Sequence, residues 1–189
     1  MKTAPGKFFN TRRILLLIAG LLAVLISLPA LLAPDHRCET ARCKASYSIF
    51  GYELLLDPQV TPCLGNYHVF LMRRMKREDA LPHAGEVWAF YPPENGFYPR
   101  DQLMVKIVGG VPGDEIVIAQ GGVFINGTLM ARGYKAADNL GVSQKLFYRS
   151  HVLAPGEYFM LGTSDTSFDS RYFGRVHETK LVGRAYPLF

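Results

Sequence analysis

Lys106 is the residue from which chemistry can be built in this chain. It lies in residues 104–114, M-V-K-I-V-G-G-V-P-G-D, an apolar run of strand composition that closes on a Gly-Gly and then a Pro-Gly-Asp turn. A lysine in such a run has two uses. On the solvent side of an edge strand it blocks unwanted pairing, or it snorkels to water. Buried among Met104, Val105, Ile107 and Val108, it is penalised as an ammonium, and the neutral amine can act as a base toward a hydroxyl or thiol. Other chemistries lack their residues. His68, His83, His151 and His177 sit in no nucleophile context, and there is no H-E-x-x-H, no paired C-x-x-C and no phosphate loop. No metal or cofactor is expected. Cys63 is the odd thiol of three cysteines, either buried filler or a reactive group.

The elements that must position these groups read as short strands. Residues 46–56 form a strand or an approach segment, and residues 57–66 a loop shaped by Pro and Gly. Strands are expected over 67–72, 86–91, 104–108, 115–119, 122–130, 158–161 and 181–186. Asn126-Gly127 marks a tight hairpin within the fifth of these, which also accounts for the Asn-Gly-Thr without any glycan. Residues 134–150 are less patterned and read as an insertion or a lid. No internal repeat is present. The exported part is therefore expected to be mainly β, in twisted sheets or a partial barrel.

Length and charge bound the rest. The chain of 189 residues, 49% hydrophobic, supports one domain and a small appendage. A net charge of +5 raises nucleic acid as a partner, but the excess sits in Lys2, Lys7, Arg12, Arg13 and in Arg73, Arg74, Lys76, Arg77, with no nucleic-acid motif. A membrane explains it better. Residues 14–32 carry no charge and suffice to cross a bilayer as a helix, with the basic residues 1–13 held in the cytoplasm. The expected organisation is a cytoplasmic N-terminus (1–13), an uncleaved anchor (14–33) and an exported domain (34–189). A cleaved signal is the alternative, but no convincing cleavage site precedes Cys38. Cys38 and Cys43, close together in an oxidising space, could form a local disulfide.

Three blocks then resemble the type I signal peptidases, the S26 serine peptidases. Residues 106–114, K-I-V-G-G-V-P-G-D, are similar to the family's lysine box, usually K-R-x-x-G-x-P-G-D. Residues 123–127, V-F-I-N-G, resemble the hairpin after it, and residues 167–174, S-F-D-S-R-Y-F-G, the closing S-x-D-S-R-x-x-G box. The resemblance implies that Lys106 is the general base and that Ser167 hydrogen-bonds and orients its amine. It implies an Asp169–Arg171 ion pair holding that loop, with Gly113 and Asp114 as turn and scaffold.

The nucleophile departs from the family pattern. The family places a serine just before the first strand of the domain, in S-M-x-P-T or, among the pilin peptidases of plasmid transfer, T-x-S-x-P-x-G-x-Y. Here residues 61–67 read T-P-C-L-G-N-Y, with Cys63 at the serine position. A thiol ionises more readily than a hydroxyl and suits activation by lysine. Thr61 and the Cys63 backbone N–H would then form the oxyanion hole. Ser46 and Ser48, earlier in the approach segment, are the alternative nucleophiles. The closing box also departs, with Gly162-Thr163-Ser164 where housekeeping members have G-D-N.

These departures lean toward the pilin-processing peptidases of conjugation. The implied protein is a single-pass enzyme of the bacterial inner membrane with a periplasmic domain. It would cleave, or cyclise, an exported precursor bearing an N-terminal signal, in contact with a secretion or conjugation apparatus. Two other readings stay open: a catalytically inactive binding or assembly factor, and a housekeeping signal peptidase with wide substrates.

Overall fold

The computed structural model describes residues 48–49, 51–57, 64–94 and 103–189, all within one compact unit spanning Arg37–Phe189. The basic N-terminus, the anchor, Cys38, Cys43, Ser46, Thr61 and Cys63 lie outside the described residues. Among the described residues, no helix is long and apolar enough to cross a membrane.

Twelve strands are described. They are β1 (Ser48–Ile49), β2 (Tyr52–Leu56), β3 (Val69–Arg74), β4 (Val87–Phe90), β5 (Met104–Gly110), β6 (Glu115–Ala119), β7 (Gly122–Ile125), β8 (Thr128–Ala131), β9 (Arg149–Val152), β10 (Glu157–Leu161), β11 (Val176–His177) and β12 (Leu181–Pro187). Two short helices, α1 (Lys135–Asn139) and α2 (Ser170–Phe173), complete them. The fold is mainly β. Eight strands form one sheet in the order β1-β2-β3-β12-β4-β5-β10-β11, and four form a second in the order β8-β7-β6-β9, with every described pairing antiparallel.

Local chemistry accounts for several connections. Asn126 and Gly127 both take positive φ, 50° and 77°, which is the two-residue turn that matches strand twist, and Ile125 pairs with Thr128 across it. Asp114 fixes the Pro-Gly-Asp turn, accepting from the Val111 amide at 2.8 Å through Oδ2 and from Asn126 Nδ2 at 2.7 Å through Oδ1. The turn between β5 and β6 and the β7–β8 hairpin are thereby stapled together.

Gly109 and Gly110 behave differently from the expected turn. They continue β5 to its end, because neighbouring side chains occupy the space that a Cβ would need. A Cβ on Gly109 would lie 2.7 Å from Leu161 Cδ1, and one on Gly110 would lie 3.0 Å from Ile116 Cδ1. The glycines here serve close packing.

Strand β5 divides two apolar clusters. Met104 and Val108 join Trp88, Phe90, Ile116 and Phe159 in the larger one, whereas Val105 and Ile107 pack with Leu64, Phe70, Met72 and Val182 in the other. Alternation along the strand accounts for the split. Residues 134–150 are folded onto the larger cluster through Tyr134, Ala136, Ala137 and Phe147. Tyr134 donates its hydroxyl to the Ala119 carbonyl at 2.6 Å, and burial pushes its phenol up to about 12. Strand β9 emerges at the end of this stretch, where its polar R-S-H-V sequence gives no strand pattern.

Candidate active site

Lys106 occupies the middle of β5, opposite Trp88 of β4, and is only 3% exposed. By alternation it shares a face with Met104 and Val108, so its stem is surrounded by apolar strand neighbours. Among the described residues no acidic side chain forms a salt bridge with it. On one side β4 pairs along residues 104 to 107, and on the other β10 joins β5 only from Ile107 onward. The β10 ladder ends at Leu161 opposite Ile107, so β10 leaves the other edge of β5 uncovered from Met104 to Lys106.

The loop that follows β10 is held by one buried ion pair. Arg171 Nε and Nη2 grip Asp169 Oδ1 and Oδ2 at 2.8 and 2.7 Å, and both residues are 0% exposed. Asp169 also caps α2, accepting from the Arg171 amide at 3.1 Å, and its Oδ2 accepts from the Gly162 amide at 2.8 Å. Arg171 spends its remaining donors on four carbonyls. Nη1 reaches those of Arg132 and Gly133 at 2.9 and 3.0 Å, and Nη2 those of Ser164 and Ser167 at 2.8 and 3.3 Å. Burial works against this guanidinium's charge, yet the carboxylate beside it raises its pKa above the ordinary arginine value. A buried charge needs this degree of satisfaction.

Ser167 sits inside that loop, 2% exposed, and its Oγ has no hydrogen-bond partner among the described residues. No hydrogen bond joins it to the Lys106 amine. A buried hydroxyl left unpaired costs about 1–3 kcal/mol and is uncommon, so it marks a place where a partner is missing.

The segment after residue 63 is tied to the same region. Leu64 is buried in the cluster that contains Val105 and Ile107, the two chain neighbours of Lys106. The Gly65 amide donates to Thr163 Oγ1 at 2.7 Å, across the gap between the approach loop and the loop after β10. Sequence reading assigned Thr163 only as a departure from the family pattern, and no local signal reveals this long-range bond. A groove of about 570 Å³ begins one residue beyond Lys106, lined by Ile107, Gly109, Leu161, Gly162 and Thr163 among others. Ser48 lies on β1, the outermost strand of the larger sheet. Among the described residues no cluster of His, Cys, Asp or Glu could hold a metal ion.

Residues 55–189 match the family described as signal peptidase, peptidase S26. Among known proteins, a probable signal peptidase I-2 of Synechocystis is 32% identical over 113 residues, covering 57% of this chain and 48% of that protein. The plasmid transfer protein TraF of Escherichia coli is 35% identical over 97 residues, covering 49% of this chain and 55% of the relative. The chain thus spans about half the length of each of these two. The conjugal transfer protein TraF of Agrobacterium fabrum is 28% identical over 156 residues, covering 75% of this chain and 84% of the relative. A crystal structure of a signal peptidase I from Enterococcus faecalis V583 aligns with 56% of this chain and 97% of its own, at 28% identity and a TM-score of 0.35. With the S26 match running over most of the chain, from β2 to the last residue, this protein belongs to the S26 signal peptidase family.

Proposed function

We propose that the protein is a membrane-anchored endopeptidase that cuts an exported precursor by acyl transfer, with Cys63 as nucleophile and Lys106 as general base. The observation that carries this reading is the burial of Lys106 in mid-strand, with β10 leading from its pairing at Ile107 into the loop whose Ser167 hydroxyl is buried with no partner among the described residues. Hydrogen bonds of unliganded catalytic sites commonly tighten only when substrate is bound, and Ser167 is available to steady the amine at that stage.

The edge of β5 at residues 104 to 106, with which no second described strand pairs, offers backbone groups to an extended precursor, which would lie along it as an added strand. The neutral Lys106 amine takes the Cys63 proton, and the thiolate adds to the scissile carbonyl. The Thr61 hydroxyl and the Cys63 backbone N–H stabilise the oxyanion. Collapse expels the amine of the downstream segment, which takes its proton from the Lys106 ammonium and leaves a thioester. Water then hydrolyses that thioester, with Lys106 again as base. A peptide amine in place of water would give ligation instead. Support for Cys63 in this role comes from the packing of Leu64 against Val105 and Ile107 and from the Gly65–Thr163 bond.

The substrate we propose is a pilin precursor of conjugative transfer, and the site of action is the periplasmic face of the bacterial inner membrane. Two relatives carry plasmid and conjugal transfer names, which favours this reading. The relative named a probable signal peptidase I-2 favours a wider housekeeping role as the second reading.

The test is maturation of a pilin precursor co-expressed in membranes with wild type, Cys63→Ser, Cys63→Ala and Lys106→Ala. Loss in both alanine variants, with partial activity in Cys63→Ser, is the expected outcome. Cleavage by Cys63→Ala would move the nucleophile to Ser46 or Ser48. Binding of precursor without cleavage by wild type would leave an assembly factor, and processing of many unrelated precursors a housekeeping enzyme.

A further inference from the structure

A second charged site lies on β9 and the turn after α2, away from Lys106 and Ser167 in the chain. Arg149 and His151 are two residues apart on β9 and so share a face. With Arg175, Ser150, Phe173 and Gly174 they line a cavity of about 340 Å³, roughly ten times the ~30 Å³ that one water occupies.

The charges in this cavity do not balance. Arg149 is partly buried, and Nη2 donates to the Ser170 and Arg171 carbonyls at 3.0 and 3.3 Å, with no salt bridge to a carboxylate among the described residues. Burial pushes its guanidinium pKa down, and the charge on Arg175 adds to this. Among the described residues, the acid that acts on His151 is Glu157, and it is already engaged. Oε1 pairs with Arg175 Nε at 3.0 Å and Oε2 accepts from the Ala154 amide at 2.9 Å. His151, against the ring of Phe159, is held below its ordinary value by burial and by both arginines, with Glu157 opposing weakly. Its Nε2 is buried with no partner among the described residues.

We propose that this cavity binds a phosphate-type oxyanion, gripped by Arg149 and Arg175, both of which line it. Guanidinium forks match phosphate geometry, and two of them facing one cavity with a single engaged carboxylate leave net positive charge to neutralise. The phosphate can come from free solution or from a lipid headgroup. Because Arg149 also holds the Ser170 and Arg171 carbonyls, the ligand would steady the helix that carries the Asp169–Arg171 pair. The site is independent of the peptidase reading.

The experiment is NMR of the histidine imidazoles in the full chain, in neutral detergent, titrated with inorganic phosphate against sodium chloride of matched ionic strength. An anion beside the arginines cancels part of what depresses His151. The expected result is a saturable upward move of the His151 midpoint in phosphate, with His68, His83 and His177 following only the salt control. Arg175→Gln, at a half-exposed position, should weaken phosphate binding about tenfold without unfolding the chain. Nanodiscs containing phosphatidic acid, free of inorganic phosphate, give the lipid arm. A shift there alone assigns a headgroup, and a shift with inorganic phosphate alone assigns a soluble ligand. If His151 moves no further than the salt control in both arms, or if Arg175→Gln binds phosphate as tightly as wild type, the site does not exist.

Discussion

The amide of Gly65 donates to Oγ1 of Thr163 at 2.7 Å, joining two loops that lie 98 residues apart in sequence. One belongs to the segment after Cys63, the other to the segment that leads to Ser167. This bond links them directly. Thr163→Val keeps the shape and removes the acceptor. The Gly65 amide is exposed and can turn to water, so stability should change by less than about 1 kcal/mol. Precursor cleavage should fall several-fold and hydrogen exchange at Gly65 should accelerate, while Thr163→Ser retains both. Wild-type cleavage in the valine variant would show that the bond does not position the site.

Lys106→Met separates catalysis from folding. Methionine fills nearly the same space among Met104, Val108 and Trp88 and removes an amine that is 3% exposed. Denaturant unfolding should show equal or slightly greater stability, by about 1 kcal/mol at most. Cleavage should drop by about 10²–10⁴, the usual contribution of a positioned base. A variant that loses stability and keeps activity would return Lys106 to a structural role.

The Asp169–Arg171 pair should respond steeply to removal of either partner. Asp169→Ala strands a buried guanidinium and frees the Gly162 amide, and a loss of about 3–5 kcal/mol in urea unfolding is expected. Arg171→Lys keeps the charge but cannot span Asp169 and four carbonyls, so it should recover only part of that stability. If Asp169→Ala unfolds at the wild-type midpoint, the pair is dispensable.

His151 gives the domain a pH-dependent term. Burial, aided by Arg149 and Arg175, lowers its pKa in the folded state below the ordinary 6.5. The unfolded chain therefore binds the proton more readily. Stability from this group is complete above about pH 6.5 and is lost as pH falls through the depressed folded value. Thermal unfolding followed between pH 7 and 5 should show a decline that His151→Phe flattens. An unchanged slope in that variant would assign the decline to other groups.

The parts of the fold that were legible from sequence are those decided within a few residues. Asn126-Gly127 states its own hairpin because only certain residues accept two positive φ values in succession. The apolar alternation of residues 115–119 matches β6 to the residue. What sequence hides is decided at long range. Gly109 and Gly110 look like a turn until Leu161 and Ile116 occupy the space over them. Strand β9 carries Arg149 and His151 inward-lying, so its polar composition conceals it. The lysine of the candidate site is legible as an anomaly, a charge in an apolar run, whereas the Gly65–Thr163 bond and the four carbonyls of Arg171 leave no local trace. Thr61, Cys63 and Ser46 lie outside the described residues, and their roles rest on the proposed mechanism.

Strand β12 lies between β3 and β4 in the larger sheet, pairing with one from Arg74 to Phe70 and with the other from Phe90 to Trp88. In the hydrogen-bonded order of the sheet, the hairpin of β2 and β3 is therefore joined to the Lys106 strand through residues 181–187. A ribosome delivers those residues after the other described strands. Until they arrive, the two halves of the larger sheet each carry an unpaired edge, and the segment around Leu64 has no fixed relation to Lys106. The structure thus makes the proposed peptidase centre late to assemble: a nascent chain that has already emerged through β11 should still be without it.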